Sequence, residues 1–281
     1  MDQIKVKSPA KINIGLNIIR KREDGFHDLE TIFYPLNLYD EITITKSDSF
    51  SFISNDELLN KEPTNLIIKA QKEFERVSGK TLNVKIELKK NIPIGAGLGG
   101  GSSNAAITLK TLNALLEPAI TEGRLEQELL SEIALKLGSD VPYFLNPVPV
   151  FAESRGEKIT PVNLKIENPI LIVNPGIHIS TKWAFGHIKT QQPKMSLKSL
   201  IGYNEISIDD LKQIAVNDFE EIVFNEYHEI KNIKEVMLQT GVILSLMTGT
   251  GSTVFGIFEN KKAAEKAAEK FPRHYFNFIN Y

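Results

Sequence analysis

The stretch Pro93-Ile-Gly-Ala-Gly-Leu-Gly-Gly-Gly-Ser-Ser-Asn-Ala-Ala106 decides how this part of the chain folds and what it can bind. Five of the seven residues from Gly95 to Gly101 are glycine, and a helix is predicted directly afterwards, over Asn104–Leu116. Relief of steric strain in a single turn needs only about one or two glycines, so the longer run indicates close approach of the backbone to a ligand. Exposed backbone N–H groups and the positive end of a helix dipole both favour phosphate. The stretch therefore predicts a phosphate-binding loop.

Three other interpretations of this loop are less consistent with its surroundings. The segment Gly95–Gly100 fits the dinucleotide pattern G-x-G-x-x-G, but that pattern closes a strand and opens a βαβ unit. Here Lys89–Pro93 separates the loop from the predicted strand Leu82–Leu88, and a second helical segment follows the first. The Walker A pattern needs Gly-Lys-Ser/Thr after the loop, which this sequence does not have. A flexible linker would not lie between a proline and an apolar-periodic helix.

Composition limits the class of protein. The chain has 281 residues, of which 42% are hydrophobic and 24% charged, as in soluble globular proteins with one large or two ordinary domains. A formal net charge of −2 provides no field that would attract nucleic acid or an anionic membrane. Cysteine is absent, which excludes disulfides and Cys-based zinc sites. Because we find neither an apolar leader nor a run of about 18 apolar residues, we expect a cytoplasmic protein that binds no membrane and no nucleic acid.

The order of predicted elements indicates an α+β protein. Strands dominate the first 60 residues, helices surround the glycine loop, and strands and helices mix after about residue 170. We place the domain boundary so that residues 1–160 form an N-terminal domain and residues 161–281 a C-terminal domain. The predicted strands of the first part are Ile4–Val6, Ile12–Ile19, Leu29–Leu38, Glu41–Lys46 and Leu82–Leu88, and a helix is predicted from Thr64 or Asn65 to about Val77.

A lysine and an asparagine lie in the apolar segment Pro9–Leu16. Strand alternation places the side chains of Lys11 and Asn13 on the same side. They could belong to a half-exposed edge strand, or they could line a polar pocket.

An aspartate follows a helix and a glycine in the segment Leu137–Leu145. Asp140 could be only the N-cap of a short helix with Pro142 in its first turn. Alternatively it could be a carboxylate held at a helix start as a base or a metal ligand.

A third segment, Leu246–Thr253, joins two apolar strands through small residues. It could be a glycine-rich hairpin, or a bend that lets another backbone or a phosphate approach closely.

Together these segments resemble the GHMP family of small-molecule kinases. The resemblance is carried by Pro9–Asn13, Gly95–Ala106, Gly138–Pro142 and Met247–Phe258. Within the family, further segments are similar to the branch that acts on 4-diphosphocytidyl-2-C-methyl-D-erythritol. These are Arg22–Thr31, Leu98–Ala106, Leu137–Pro142, Pro175–Phe185 and Asn217–Glu220.

The resemblance implies a two-domain fold with the active site in the cleft between the domains. The N-terminal domain would carry the phosphate loop, and the C-terminal domain would be ferredoxin-like α+β. It also implies an enzyme that uses ATP and Mg²⁺ to phosphorylate the 2-hydroxyl of this small molecule in non-mevalonate isoprenoid precursor synthesis. The protein ligands of Mg²⁺ are not indicated, and the chain could be a monomer or a homodimer.

The resemblance also implies roles for individual residues. Asp140 corresponds to the catalytic base and Lys11 to its partner. Asn13, Phe26, His27, Thr181 and Phe185 correspond to the substrate site, where His27 would pair with the edge of cytosine and the two phenylalanines would stack on it. Relatives often have tyrosine at the position of Phe26. The residues expected to hold the ATP phosphates are Pro93, Gly95, Ala96, Gly97, Leu98, Gly99, Gly100, Gly101, Ser102 and Ser103.

Three rival functions are less consistent with this sequence. Another GHMP kinase, of the homoserine or mevalonate type, would act on a substrate that has no nucleobase. The turn Asp24–His27, which is expected to recognise a base, therefore counts against it. A non-catalytic nucleotide-binding protein on the same fold would not need both Lys11 and Asp140. A nucleotide-dependent decarboxylase of the same superfamily is disfavoured by the residues expected at the cytidine site.

Overall fold

The computed structural model describes residues 3–115 and 125–281, which form two compact units. The first unit comprises Met1–Ala10, Leu38–Ile92 and Gly99–Pro147. The second comprises Lys11–Asn37, Pro93–Leu98 and Val148–Tyr281. These units alternate along the chain, and the division into continuous domains 1–160 and 161–281 stays a prediction. Within the described ranges, no helix combines the length and apolar character needed to cross a membrane.

Two long strands contribute to both units. They are β1 (Gln3–Lys21) and β2 (His27–Lys46), which pair with each other. The sequence predicted each of them as two shorter strands, and that prediction is wrong. Pro9 lacks a backbone donor, but its fixed φ is compatible with extended backbone, so β1 continues through it. Asp40 lies in the gap between the predicted strands Leu29–Leu38 and Glu41–Lys46, and its side chain is buried within β2.

The first unit combines a sheet with a group of helices. In its sheet, β3 (Ser51–Ser54) runs parallel to β4 (Val84–Lys89), and β4 runs antiparallel to the second half of β2. Its helices are α1 (Glu57–Lys61), α2 (Leu66–Ser78), α3 (Gly100–Leu115) and α4 (Gln127–Leu137). Helices α2, α3 and α4 pack against one another through their apolar faces. The apolar face of α2 is formed by Ile67, Ala70 and Phe74. The cap of α2 is Asn65, whose side chain accepts from the N–H of Ile67 at 2.9 Å, as predicted.

Helix α3 begins inside the glycine run, four residues before the predicted start at Asn104. The carbonyl oxygen of Gly99 accepts from the N–H of Ser103 at 2.9 Å, so Gly99 occupies the N-cap position. Local propensity disfavours a helix over Gly-Gly-Ser-Ser. Hydrogen bonds from Ser8 to Ser103 and from Asn104 to Asp40 stabilise the helix start and override that preference. The predicted end of this helix at Leu116 lies outside the described residues.

The second unit contains two sheets. In one, β5 (Val150–Ser154) pairs antiparallel with the first half of β2 and with β6 (Lys158–Pro161). The other is built from β7 (Ile170–Asn174), β8 (Leu244–Met247), β9 (Val254–Ile257) and β10 (Phe276–Asn280), in the antiparallel order β10-β7-β9-β8. The helices of this unit are α5 (Thr181–His187), α6 (Ile208–Ile214), α7 (Phe219–Glu226), α8 (His228–Gln239) and α9 (Lys261–Ala268).

The second sheet and its helices confirm the ferredoxin-like prediction. Along the chain, helices α5 to α8 connect β7 to β8. A bend connects β8 to β9, and helix α9 connects β9 to β10. Its first strand, Ile170–Asn174, is buried at every position, so both faces of the sheet are covered. Apolar side chains of α7, α8 and α9 form one core cluster with residues of this sheet, which fixes where the bend between β8 and β9 lies.

Candidate active site

Lys11 is buried in the second unit with its ammonium directed at an amide oxygen. The segment Ser8–Ile18 of β1 is buried at every position, so the interpretation as a half-exposed edge strand is wrong. The Nζ atom of Lys11 donates to Oδ1 of Asn13 at 2.6 Å and lies 4.8 Å from the centre of the Phe33 ring. The two polar side chains therefore share one side of the strand, as the alternation predicts.

Two threonines hold Asn13, one through its side-chain amide and one through its backbone. Its Nδ2 atom donates to Oγ1 of Thr31 at 3.0 Å, and its backbone N–H donates to Oγ1 of Thr248 at 2.9 Å. The Thr31 hydroxyl in turn donates to the carbonyl oxygen of Gly15. Because the ammonium of Lys11 can only donate, the amide atom that faces it is the acceptor Oδ1.

The glycine loop and the bend between β8 and β9 are packed together in the second unit. Gly97 has a φ of 77°, and a Cβ atom there would overlap the carbonyl oxygen of Thr248. A Cβ atom on Gly249 would lie 3.3 Å from the Cα of Gly97. The bend thus admits another backbone, which confirms that interpretation over a plain hairpin. On the other side of the loop, the N–H of Lys11 donates to the carbonyl oxygen of Leu98 at 3.0 Å.

The residues predicted to hold the ATP phosphates differ in their exposure to solvent. Ala96 and Leu98 are buried, so these two positions can offer a ligand little beyond their backbone. Pro93, Gly97 and Gly99 are half-buried, Gly100 is buried, and Gly95 and Gly101 are exposed. Gly95 and Gly99 have φ values of 64° and 71°. His178 adjoins the loop, since a Cβ on Gly95 would lie 2.6 Å from its Nδ1 atom.

The two serines at the start of α3 have different surroundings in the first unit. Ser102 is half-exposed in the first turn, where its hydroxyl can reach a bound anion. Ser103 is buried, and its Oγ accepts from Oγ of Ser8 at 2.7 Å. Of the two predicted phosphate contacts, Ser102 has the more suitable position, and Ser103 stabilises the helix start.

A buried acidic residue that the sequence did not reveal holds the first turn of α3. Asp40 accepts from Nδ2 of Asn104 at 2.9 Å and from the N–H groups of Asn91 and Ile92 at 2.8 and 2.9 Å. It also forms an ion pair with Lys90. Burial lowers the pKa of Lys90, although the charge of Asp40 opposes this shift. The network anchors both the chain segment that enters the loop and the helix that leaves it.

Asp140 lies in the first unit, in the turn between α4 and a short 3₁₀ helix over Pro142–Leu145. Its side chain is half-buried. The N-cap position of the 3₁₀ helix belongs to Val141, so the interpretation of Asp140 as merely an N-cap is wrong. Asp140 and Lys11 belong to different units.

The residues expected at the nucleobase site lie on the β1–β2 turn and on α5, both in the second unit. The rings of His27 and Phe185 have centroids 4.9 Å apart with an interplanar angle of 33°. Phe26 is 49% exposed, and its ring stacks with the guanidinium of Arg155 at 4.4 Å. Thr181 is exposed in the first turn of α5. Burial, reinforced by the charge of Lys21, lowers the pKa of the His27 imidazole, which keeps the ring neutral near pH 7.

The segment Asn217–Glu220 stabilises several parts of this site, a role that the sequence pattern did not predict. Asn217 donates from Nδ2 to the carbonyl oxygens of Met247 and Gly249 at 2.6 and 2.9 Å. Asp218 accepts from the N–H of Ile18 at 2.7 Å, and Phe219 packs edge-on against Phe185 at 4.9 Å. Glu220 accepts from the N–H of Met247 at 2.8 Å and from Lys234 at 2.6 Å. Four consecutive side chains thus fix the bend, β1 and an aromatic ring of the site.

Comparison with known proteins agrees with this arrangement. The N-terminal domain of the GHMP kinases matches residues 65–146, and their C-terminal domain matches residues 203–277. The 4-diphosphocytidyl-2-C-methyl-D-erythritol kinase of Chlorobium phaeobacteroides is 40% identical, with 98% of this chain and 96% of the relative covered. The enzyme of the same name from Citrifermentans bemidjiense is 36% identical, with 97% and 96% covered. A crystal structure of 4-(cytidine 5'-diphospho)-2C-methyl-D-erythritol kinase superimposes with a TM-score of 0.82 at 29% identity, over 99% of this chain and 98% of that one. Since both family domains and relatives over nearly its whole length match, the chain belongs to the GHMP kinase family.

Proposed function

We propose that this protein is a kinase that transfers the γ-phosphoryl group of ATP to the 2-hydroxyl of 4-diphosphocytidyl-2-C-methyl-D-erythritol, in non-mevalonate isoprenoid precursor synthesis. The observation that carries the proposal is a set of three side chains in the second unit, in which the rings of His27 and Phe185 are in contact and the exposed ring of Phe26 is next to His27 in the chain. It offers aromatic faces for stacking and a neutral imidazole that can donate or accept at the edge of a cytosine. Full-length relatives of 36% and 40% identity carry the name of this activity.

The glycine loop and the start of α3 would bind the ATP phosphates. The positive φ values at Gly95, Gly97 and Gly99 support a backbone that curves around an anion, and a helix N-terminus adds favourable charge. Among residues 3–115 and 125–281, no group of three or more His, Asp or Glu side chains could hold a metal ion. Mg²⁺ would enter together with ATP, because proteins commonly bind this ion through one or two carboxylates and the phosphates of the nucleotide. Bound in that way, it would neutralise phosphate charge during transfer.

The roles proposed for Asp140 and Lys11 follow from the chemistry of the transfer. The substrate hydroxyl gives its proton to the Asp140 carboxylate, its oxygen bonds to the γ-phosphorus, and ADP leaves with the electrons of the broken P–O bond. The Lys11 ammonium would stabilise the alkoxide that develops on the attacking oxygen. Asn13 holds this ammonium through Oδ1 and would help to orient the substrate. Thr181, exposed at the start of α5, would contact the substrate near the base.

A panel of three substrates tests the proposal. Purified protein is mixed with ATP, Mg²⁺ and either the diphosphocytidyl compound, homoserine or mevalonate, and ADP release is measured. We expect turnover of the first substrate alone, because buried polar groups that pair with a base edge remain unpaired with the other two. Comparable turnover of homoserine or mevalonate would overturn the substrate and leave only the general kinase. No turnover of any of the three, with ATP still bound, would favour a non-catalytic nucleotide-binding protein.

A further inference from the structure

The ring of Phe26 is covered on one face by an arginine that the proposed chemistry does not use. The centre of the Arg155 guanidinium lies 4.4 Å from the centroid of the Phe26 ring. We propose that Arg155 is a positioning residue for base recognition, which holds the Phe26 ring by one face so that only its opposite face is presented to the nucleobase. This inference rests on the proposed function.

Arg22 fixes the turn that carries Phe26. Its Nη2 atom pairs with Oδ2 of Asp24 at 2.8 Å, and its Nε donates to Oδ1 of Asp24 at 3.2 Å. The same Oδ1 accepts from the backbone N–H of Phe26 at 3.1 Å. Because a planar guanidinium binds both carboxylate oxygens at once, it sets the orientation of Asp24 and, through it, the backbone of Phe26.

The same arginine reaches the turn that carries Arg155. Its Nη1 atom donates to Oγ of Ser154 at 2.8 Å, and Ser154 lies opposite Leu29 where β5 pairs with β2. Ser154 has a φ of 64°, a left-handed conformation that serine adopts only when its surroundings impose it. Glu157 accepts from Oγ of Ser154 at 3.0 Å and from the N–H of Arg155 at 2.7 Å.

These contacts form a closed ring of interactions between two neighbouring turns. It runs from Arg22 through Asp24 to Phe26, and from Arg22 through Ser154 and Glu157 to Arg155, whose guanidinium meets the Phe26 ring. An aromatic ring that is 49% exposed would otherwise have to be ordered when the base binds, at a cost in side-chain entropy. The ring of interactions orders it beforehand, and the guanidinium excludes a base from one of its faces.

The test compares variants in the substrate assay and by calorimetry with cytidine 5'-diphosphate. We expect Arg155→Ala to raise KM for the cytidyl substrate about twofold to fivefold, with kcat and KM for ATP unchanged. Arg155→Lys, which keeps the charge but loses the planar stack, should give a smaller rise. In a Phe26→Ala background, Arg155→Ala should not raise KM for the cytidyl substrate any further, because Arg155 acts only by holding the Phe26 ring. Arg273→Ala, at an exposed arginine of the same unit, is the matched control.

The outcomes separate this inference from the proposed function. If wild-type protein binds cytidine 5'-diphosphate but does not phosphorylate the cytidyl substrate, the proposed function is wrong. In that case the affinities of wild type and Arg155→Ala for cytidine 5'-diphosphate, measured by calorimetry, still test the role of Arg155. Unchanged KM and calorimetric affinity in Arg155→Ala would overturn the inference and leave the activity intact. Multiplicative effects of Arg155→Ala and Phe26→Ala would also overturn it, because they would show that the two side chains act independently. A fall in kcat with KM unchanged would do the same.

Discussion

The carbonyl oxygen of Thr248 fills the space in which Gly97 would carry a side chain, and the Thr248 hydroxyl lies 3.2 Å from the carbonyl oxygen of Gly97. The two residues are 151 positions apart in the sequence. Thr248 also accepts the N–H of Asn13 at 2.9 Å, and the side chain of Asn13 holds Lys11. One threonine therefore joins the candidate phosphate loop to the strand that carries the candidate catalytic lysine.

Gly97→Ala should weaken ATP binding. The added methyl group would overlap a backbone carbonyl that cannot move independently of the bend, and alanine disfavours a φ of 77°. We expect KM for ATP to rise at least about tenfold, which corresponds to about 1.4 kcal/mol, a value within the usual range of such strain. Steady-state kinetics with varied ATP measures this. Gly186→Ala, in open space on α5, is the control and should behave as wild type. Normal ATP kinetics in Gly97→Ala would contradict the close packing of loop and bend.

Asp40→Asn should destabilise the first unit strongly. It leaves the ammonium of Lys90 without its carboxylate in a buried environment, and loss of one partner of such a pair typically costs about 3–5 kcal/mol. Urea unfolding followed by circular dichroism measures the change. Glu41→Gln is the matched control on the same strand, because the pair of Glu41 with Lys89 is exposed and such pairs contribute about 0–1 kcal/mol. Equal effects of the two substitutions would argue against the structural role of Asp40.

The elements that the sequence predicted well are those whose signals are local. The sequence predicts a helix near Thr181–His187, and this helix is α5, whose cap, Ser180, accepts from the N–H of Trp183 in the usual capping arrangement. Helix α2 was predicted to stop at Ser78–Gly79, and Gly79 has the left-handed conformation of a helix end. The apolar run Ile170–Val173 is continuous in the sequence and forms most of β7, which has a neighbour on both sides in the ferredoxin-like sheet.

The features that the sequence did not predict depend on residues distant in the chain. The start of α3 at Gly100 depends on Asp40, which lies more than 60 positions away from Asn104 and falls between two predicted strands. The candidate base-binding residues were identified by resemblance, but the contact of Phe26 with Arg155 has no local signal. In the sequence, Asn217 stands out only as part of the segment Asn217–Glu220 that resembles the family. Its structural role has no sequence signal, because its partners are backbone carbonyl groups that any residue could provide.

Asn217→Ala should weaken both stability and ATP binding. It leaves the buried carbonyl oxygen of Met247 and the half-buried carbonyl oxygen of Gly249 without their donor, at a cost of about 1–3 kcal/mol. Because the bend packs on Gly97, KM for ATP should rise more than KM for the cytidyl substrate. Thermal unfolding and two-substrate kinetics test these effects. Asn277→Ala, at an exposed asparagine of β10, provides the comparison, and identical behaviour of the two variants would remove Asn217 from this role.

His27 predicts a specific pH dependence. Burial, together with the charge of Lys21, lowers the pKa of its imidazole below the ordinary value of 6.5. The folded protein therefore disfavours protonation of His27, so its contribution to stability is present above pH 6.5 and is lost as pH falls toward the lower folded-state pKa. KM for the cytidyl substrate should stay constant from pH 8 to 7 and rise only below about 6.5. His27→Gln, which does not titrate, should lose this rise. A rise centred above 6.5 in the wild type would contradict the shift.

Asp140→Asn and Lys11→Met test the proposed proton transfer. The asparagine keeps the shape of the side chain but cannot accept the proton, and general-base catalysis typically contributes about 10²–10⁴-fold. We expect kcat to fall by that order, with ATP affinity in calorimetry largely retained. Lys11→Met should lower kcat severely, because the developing alkoxide loses its cation. If both residues act on one proton transfer, the double variant should be only slightly worse than the poorer single variant. Asp209→Asn, at an exposed aspartate of α6, is the control. A value of kcat near wild type in Asp140→Asn would exclude Asp140 as the base, and multiplicative losses in the double variant would mean that Lys11 acts in a separate step.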